Sequence, residues 1–230
     1  ILVGKWLQMP STEFWKSFNI AIQLGAILAV VIIYWKRFLN IRDVFLKVVV
    51  AFLPTAFLGL VFYKIVKTFL LGNYLVVLLA LLIGGILILL FEKYYQEEKA
   101  EVDSVEKISW KQAIIIGFCQ SISMIPGVSR SAATIIGGLS LKIKRQTIVE
   151  FSFLLAVPTM LAATGLDLLK TGFSFNYGEW LILLLGMFSA FVSALVVIKW
   201  FLRFVQTHDF KIFGWYRIIL SLILLLFFIF

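Results

Sequence analysis

The polar groups able to do chemistry concentrate in one stretch of an otherwise apolar chain: Gln120-Ser121-Ile122-Ser123-Met124-Ile125-Pro126-Gly127-Val128-Ser129-Arg130-Ser131-Ala132-Ala133-Thr134. Pro126 has no backbone N–H and Gly127 tolerates dihedrals that other residues avoid, so a helix running in from about Ser109 is predicted to stop there. A second helix can start near Ser129, whose side chain suits an N-cap. The free N–H groups and positive dipole end of that helix would face whatever lies at the break, which suits an anion. Arg130 adds a permanent charge and a planar fork matched to two phosphate oxygens. Ser131 and Thr134, three apart, are predicted to share a helix face and to offer further hydroxyl donors. The structural alternative for Arg130 is pairing with a carboxylate or snorkelling to the headgroups. Its cost argues against that, since an arginine deep in a membrane protein costs at least about 2.5 kcal/mol and such residues usually face a cavity or a partner. The hydroxyls taken singly are less telling, because Ser and Thr often bond a helix carbonyl or a neighbouring helix.

What must position these groups is set by lipid. Of the 230 residues 62% are apolar and 16% aromatic, with a mean hydropathy of +1.05, whereas roughly half the residues of a soluble domain are apolar. A helix rises about 1.5 Å per residue and needs roughly 20 residues to cross the hydrocarbon. Six segments read as spans: Phe18 to Trp35, Val44 to Tyr63, Tyr74 to Phe91, Glu150 to Leu169, Trp180 to Phe204 and Trp215 to Phe230. A seventh apolar region, Ile108 to Leu141, is interrupted by Pro126, Gly127 and Arg130 and does not read as an ordinary lipid-facing span. The chain is therefore expected to be an all-α, polytopic membrane protein, one integral membrane domain over residues 1–230. The net charge of +9 would admit nucleic acid. However, the basic residues sit in short loops between spans rather than on one soluble face, so the bilayer is the expected partner and nucleic acid is not. The single cysteine, Cys119, allows neither an internal disulfide nor a thiolate metal cluster, and no metal ligands are assigned. The mixed charges from Glu92 to Lys111 read as a solvated connector, and His208 as a solvated loop residue.

Fourteen Lys and Arg residues, from Lys36 to Lys211, fall in one set of alternate loops; the other set holds five, Lys5, Lys16, Lys64, Lys67 and Lys170. The positive-inside rule puts the larger set in the cytoplasm. Lys107 and Lys142 then lie on one side with the broken segment between them, which makes Ile108 to Leu141 a re-entrant helical hairpin. A shift of 127 positions lays Gln23-Leu24-Gly25-Ala26-Ile27-Leu28-Ala29-Val30 onto Glu150-Phe151-Ser152-Phe153-Leu154-Leu155-Ala156-Val157. The two copies run in opposite directions through the membrane, the pattern of an inverted-topology repeat, which in transporters places broken helices and a site near the midplane. Residues 1–107 would form an incomplete first repeat and 108–230 a second that carries the re-entrant motif. The first repeat's own hairpin would straddle or precede Ile1.

Pro126-Gly127-Val128-Ser129-Arg130-Ser131-Ala132-Ala133-Thr134 resembles the second signature motif, Pro-Gly-Phe-Ser-Arg-Ser-Gly-Ala-Thr, of the bacterial undecaprenyl-diphosphate phosphatases, also called bacitracin-resistance proteins. The stretches Ile22 to Val30 and Glu150 to Pro158 are similar to the family at equivalent places, and the resemblance covers essentially the whole chain. It implies a hydrolase that converts undecaprenyl diphosphate to the monophosphate at a site open to the outer face of a bacterial cell membrane, recycling the carrier lipid for peptidoglycan synthesis. By motif position Gly127, Ser129, Ser131 and Thr134 would hold the diphosphate of a long-chain prenyl lipid. Arg130 would be catalytic, stabilising charge in the transition state. Gln23 and Glu150 are candidate supporting residues, and a divalent cation, Mg or Ca, is the cofactor the resemblance allows. Ala132 departs from the family's glycine. The family's first motif, which supplies acidic residues, a serine and a histidine, is expected just before Ile1. The 230 residues alone are therefore expected to have little phosphatase activity. The competing reading is a transporter or flippase of an anionic lipid or solute, because inverted repeats and broken helices serve transport as readily as hydrolysis. The sequence sets no oligomeric state.

Overall fold

A computed structural model describes residues 13–40, 42–70, 73–171 and 176–229. Among these residues the fold is all-α, with one isolated backbone pairing, Val102 with Ile143. The helices are α1 (Glu13–Asn40), α2 (Arg42–Ile65), α3 (Tyr74–Tyr94), α4 (Trp110–Ser121), α5 (Arg130–Ser140), α6 (Arg145–Thr171), α7 (Tyr177–Thr207) and α8 (Lys211–Ile229). Each of the six expected spans falls on one helix: α1, α2, α3, α6, α7 and α8. Phe230, the last residue of the sixth, lies outside the described residues, as do Lys5 and the place expected for a first hairpin at or before Ile1. Among the described residues four helices are long and apolar enough to cross a membrane, over Arg42–Phe62, Tyr74–Tyr94, Arg145–Gly165 and Tyr177–Thr207. Their outward faces carry large apolar side chains, with Leu60 73% and Phe188 66% exposed. Water would not tolerate so much apolar surface, and lipid does. The protein is a polytopic membrane protein.

The helices gather into two compact units, Ile1–Trp35 with Ala156–Lys199, and Lys36–Leu155 with Trp200–Phe230. In the first, Gly25 of α1 lies against the backbone of Met187 in α7, where any side chain would collide. Close approach at small residues is the usual way helices associate in lipid, which offers no hydrophobic drive between them.

The second unit holds the broken segment. Ser109 caps α4 through a capping box: its Oγ accepts from the Gln112 N–H at 3.2 Å, and the Gln112 Oε1 accepts from the Ser109 N–H at 2.9 Å. The same Gln112 donates through Nε2 to the Leu141 carbonyl at 3.1 Å. The start of α4 and the end of α5 therefore lie together, and the two short helices make a hairpin whose tip is residues 122–129. Gly117 of α4 rests on the Ala51 carbonyl of α2. Beside it Thr55 Oγ1 donates to the Gly117 carbonyl at 3.0 Å and accepts from Gln120 Nε2 at 3.0 Å.

Most charged side chains of the connector from Glu92 to Lys111 are exposed, as expected of a solvated link, but its first residue is not. The Glu92 side chain is 2% exposed and Arg145, at the start of α6, is 12% exposed. The two make a bidentate pair, Nη1 to Oε1 and Nη2 to Oε2, the second at 3.2 Å. Glu92 Oε1 also accepts from the Phe210 N–H at 3.1 Å, and Glu97 Oε1 from the Arg145 N–H at 2.8 Å. The Arg145 guanidinium lies 5.1 Å from the Tyr95 ring and 5.0 Å from the Phe210 ring. Arg145 thus ties together α3, the connector, α6 and the turn before α8. Removing one partner of a buried pair strands a charge, so Arg145→Ala is expected to cost about 3–5 kcal/mol. Lys142→Ala breaks an exposed pair with Glu101, whose side chains are 63% and 68% accessible, and is expected to cost less than about 1 kcal/mol. Thermal unfolding of both variants in detergent checks the contrast.

Candidate anion site at the hairpin break

At the tip α4 ends in a single 3₁₀ turn, Ile122–Met124. Ser123 Oγ donates to the Gln120 carbonyl at 2.7 Å, and the Val128 N–H reaches back to the Ile125 carbonyl at 3.0 Å. Gly127 has φ +94°, a conformation that costs any side-chain-bearing residue. A Cβ there would also stand 2.5 Å from the Val77 carbonyl oxygen on α3, so both the backbone and the packing require glycine. α5 then starts as expected, with Ser129 Oγ accepting from the Ala132 N–H at 3.3 Å and the Ser129 carbonyl accepting from the Ala133 N–H at 3.0 Å. The N–H groups of Arg130 and Ser131 have no partner among the described residues, and they point out of the helix start together with its dipole.

Ser131 Oγ lies 3.1 Å from Ser129 Oγ, so the two hydroxyls are adjacent. Arg130 Nη1 donates to the Ser152 carbonyl of α6 at 3.0 Å. Among the described residues no carboxylate pairs with Arg130, and none of its nitrogens is both buried and unpartnered. Arg130 thus has donors beyond the one that Ser152 takes. The structure thus brings Gly127, Ser129, Arg130 and Ser131 to one place, but turns Thr134 elsewhere. Thr134 is fully buried, and its Oγ1 lies 2.7 Å from Ser152 Oγ and donates towards the Ser131 carbonyl at 3.0 Å. Its spacing from Ser131 is as expected, but the face it occupies is the one packed on α6. Thr134 fastens α5 to α6 rather than presenting a hydroxyl. Glu150 is half-buried on α6, two residues before Ser152, and Gln23 is exposed on α1 in the other unit.

Two residues at the site escaped the sequence reading. Ser152 holds both Arg130 and Thr134; its only signal was a polar side chain in an apolar helix. Arg217 of α8 donates through Nη2 to the Gly127 carbonyl at 2.9 Å. Its signal was stronger, a cation inside the expected span Trp215 to Phe230. An open, mostly apolar groove of about 900 Å³ runs along α3 and α5 from Ser129 and Arg217 to Tyr95 and Lys142. A smaller cavity of about 250 Å³ also begins at Ser129, Ser131 and Arg217 and ends at Glu92 and Phe210.

N–H groups, hydroxyls and a guanidinium with no acid partner among the described residues make a donor set of the kind that suits an anion, and the groove begins beside it at Ser129. The donor set does not fit a divalent cation, which takes oxygen ligands and chiefly carboxylates. Among the described residues no three His, Cys, Asp or Glu side chains cluster. Nor does a carboxylate or imidazole lie within hydrogen-bond distance of Ser129, Arg130 or Ser131. His208, exposed at the end of α7, shares a 2.8 Å hydrogen bond with Thr207 and stacks on Phe204.

A family model described as Bacitracin resistance protein BacA matches residues 1–223. The chain is 48% identical to an undecaprenyl-diphosphatase of Aquifex aeolicus over 230 residues, covering all of this chain and 90% of that protein. It is 47% identical to one of Persephonella marina, with 99% and 89% covered, and 45% identical to one of a Sulfurihydrogenibium species, with 97% and 87% covered.

Gly127→Ala would meet strain at positive φ and a clash with Val77 together, and is expected to cost on the order of 2–4 kcal/mol. A lowered unfolding midpoint in detergent is the check, and an unchanged midpoint would remove Gly127 as a fixed point of the tip.

Proposed function

Because the chain belongs to the bacitracin resistance protein BacA family, we propose that it hydrolyses undecaprenyl diphosphate to undecaprenyl phosphate and inorganic phosphate, returning the carrier lipid to cell-wall synthesis. The observation that carries this reading is the two unpaired N–H groups and adjacent hydroxyls at the start of α5, next to an arginine with no acid partner among the described residues, where an apolar groove begins at Ser129. A lipid with a phosphorylated head has both halves of that chemistry. The N–H groups of Arg130 and Ser131 and the hydroxyls of Ser129 and Ser131 hold the terminal phosphate. Arg130, steadied by the Ser152 carbonyl, turns its remaining donors to the oxygens on which charge spreads as the phosphoryl group leaves. The groove takes the near end of the prenyl chain.

The break binds and stabilises; it has no group that would activate water. The acidic residues, serine and histidine of the family's first motif, expected ahead of Ile1, would supply that step, together with any carboxylate for a Mg or Ca ion. The positive-inside count supports a re-entrant hairpin entered from the cytoplasmic side, with its tip and site turned to the outer face. It also supports a bacterial cell membrane as the location.

The test is inorganic phosphate release from a long-chain prenyl diphosphate in detergent. It compares the 230-residue chain, the same chain extended by the family's first motif, and Arg130→Ala in the extended chain. Little release from the first is expected and clear release from the second. A loss of about a thousandfold in kcat/KM, roughly 4 kcal/mol, is expected in the third. An extended protein that binds the lipid but never releases phosphate would overturn the hydrolase reading in favour of transport.

A further inference from the structure

Arg217 stands outside the motif, yet it is the cation most fully committed to the hairpin tip. It is 8% exposed. Its Nη2 donates to the Gly127 carbonyl at 2.9 Å and to the Ala80 carbonyl of α3 at 3.1 Å, while its Nε is buried with no partner. It lines both the groove and the smaller cavity beside Ser129. A guanidinium withdrawn from water is costly unless it is paired, and here it meets carbonyls and no acid. That leaves its charge in place two residues from the cap of α5.

Room for it comes from α3. A Cβ at Gly84 would lie 2.5 Å from Arg217 Nη2, 3.1 Å from Cζ and 3.3 Å from Nε. At the next position a Cβ on Gly85 would lie 2.8 Å from the Gly214 carbonyl oxygen, which brings α8 close enough for the side chain to reach across. The pair Gly84-Gly85 therefore forms a notch through which Arg217 reaches Gly127.

We infer that Arg217 is a positioning residue for the hairpin break, pinning the Gly127 carbonyl through the Gly84 notch and thereby fixing where Ser129 and Arg130 stand. Gly127 holds its positive φ with no side chain to steady it, so the charged donor on its carbonyl joins the Val128 N–H bond to Ile125 in stopping that peptide from turning. The cap of α5 follows two residues on. The inference rests on the diphosphate reading only for what those groups hold.

Gly84→Ala separates position from charge. Alanine favours a helix over glycine by about 1 kcal/mol, and the group it displaces is the flexible end of a side chain, so the fold should persist while the guanidinium moves off Gly127. In the chain extended by the first motif, we would measure Gly84→Ala, Arg217→Met, Arg217→Lys and the Gly84→Ala/Arg217→Met double variant. The readouts are phosphate release from a long-chain prenyl diphosphate and amide exchange over residues 122–133. Faster exchange confined to that segment is expected in Gly84→Ala and Arg217→Met. With it, kcat should fall by about ten- to a hundredfold while KM stays within about twofold. Arg217→Lys should recover part of the rate, and the double variant should be no worse than Arg217→Met. Unchanged exchange in Gly84→Ala and Arg217→Met would overturn the inference. So would a normal kcat in a Gly84→Ala protein whose exchange has risen. If the segment loosens as expected but the unsubstituted extended chain releases no phosphate, the diphosphate reading fails and the positioning role stands.

Discussion

A helix broken inside a membrane protein is the constraint on which the rest of this structure depends. In hydrocarbon each unsatisfied backbone group costs several kcal/mol, so irregular backbone survives there only where protein or a cavity lines it. The break between Ser121 and Arg130 meets that demand group by group. Ser123 takes one carbonyl and Ile125 one N–H, while Ser129 caps the new helix. Arg217 takes the carbonyl of Gly127. What remains over are the first N–H groups of α5 and the spare donors of Arg130. Both the groove and the smaller cavity begin at Ser129, the cap of α5.

The three buried or half-buried arginines of the second unit show how the same side chain is put to different ends. Arg145 is matched by Glu92 and Glu97, and the cluster is close to neutral or acidic. Such a pair holds helices together, and breaking it is costly even when forming it brings little net gain. Arg130 and Arg217 instead donate to main-chain carbonyls, whose dipoles orient a guanidinium without cancelling its charge. The field at the start of α5 is therefore the sum of two cations and a helix dipole.

Features carried by local sequence were legible; features carried by contacts between distant segments were not. Lipid imposes length and apolarity on each span separately, so all six fall on helices. Pro126, Gly127 and Ser129 act on their own backbone, so the break and cap stand where the residues put them. Thr134 shows the limit. Helical spacing places it near Ser131, but only the packing of α5 on α6 decides that it faces Ser152. Glu92 shows the same limit: its partner is Arg145, 53 positions away, and local charge mixing does not reveal it. Arg217 reaches Gly127 across 90 positions; a cation in an apolar span was a signal the sequence reading passed over, and nothing local says what it touches.

The donor-only character of the break constrains the chemistry of the whole. N–H groups, guanidinium and capped hydroxyls accept no proton near neutral pH, so they are suited to holding a phosphate but cannot prepare the water that attacks it. Donors of this kind favour catalysis only through the extra charge that develops in the transition state, which is where fixed donors contribute most. Fixing them is therefore worth more than adding to them. A displacement of about an ångström at the start of α5 would weaken every charge-directed contact together. That is why a chain with so few polar side chains in its apolar helices places Arg217 on the backbone of the tip and Ser152 behind Arg130, where each governs position rather than contact with the substrate.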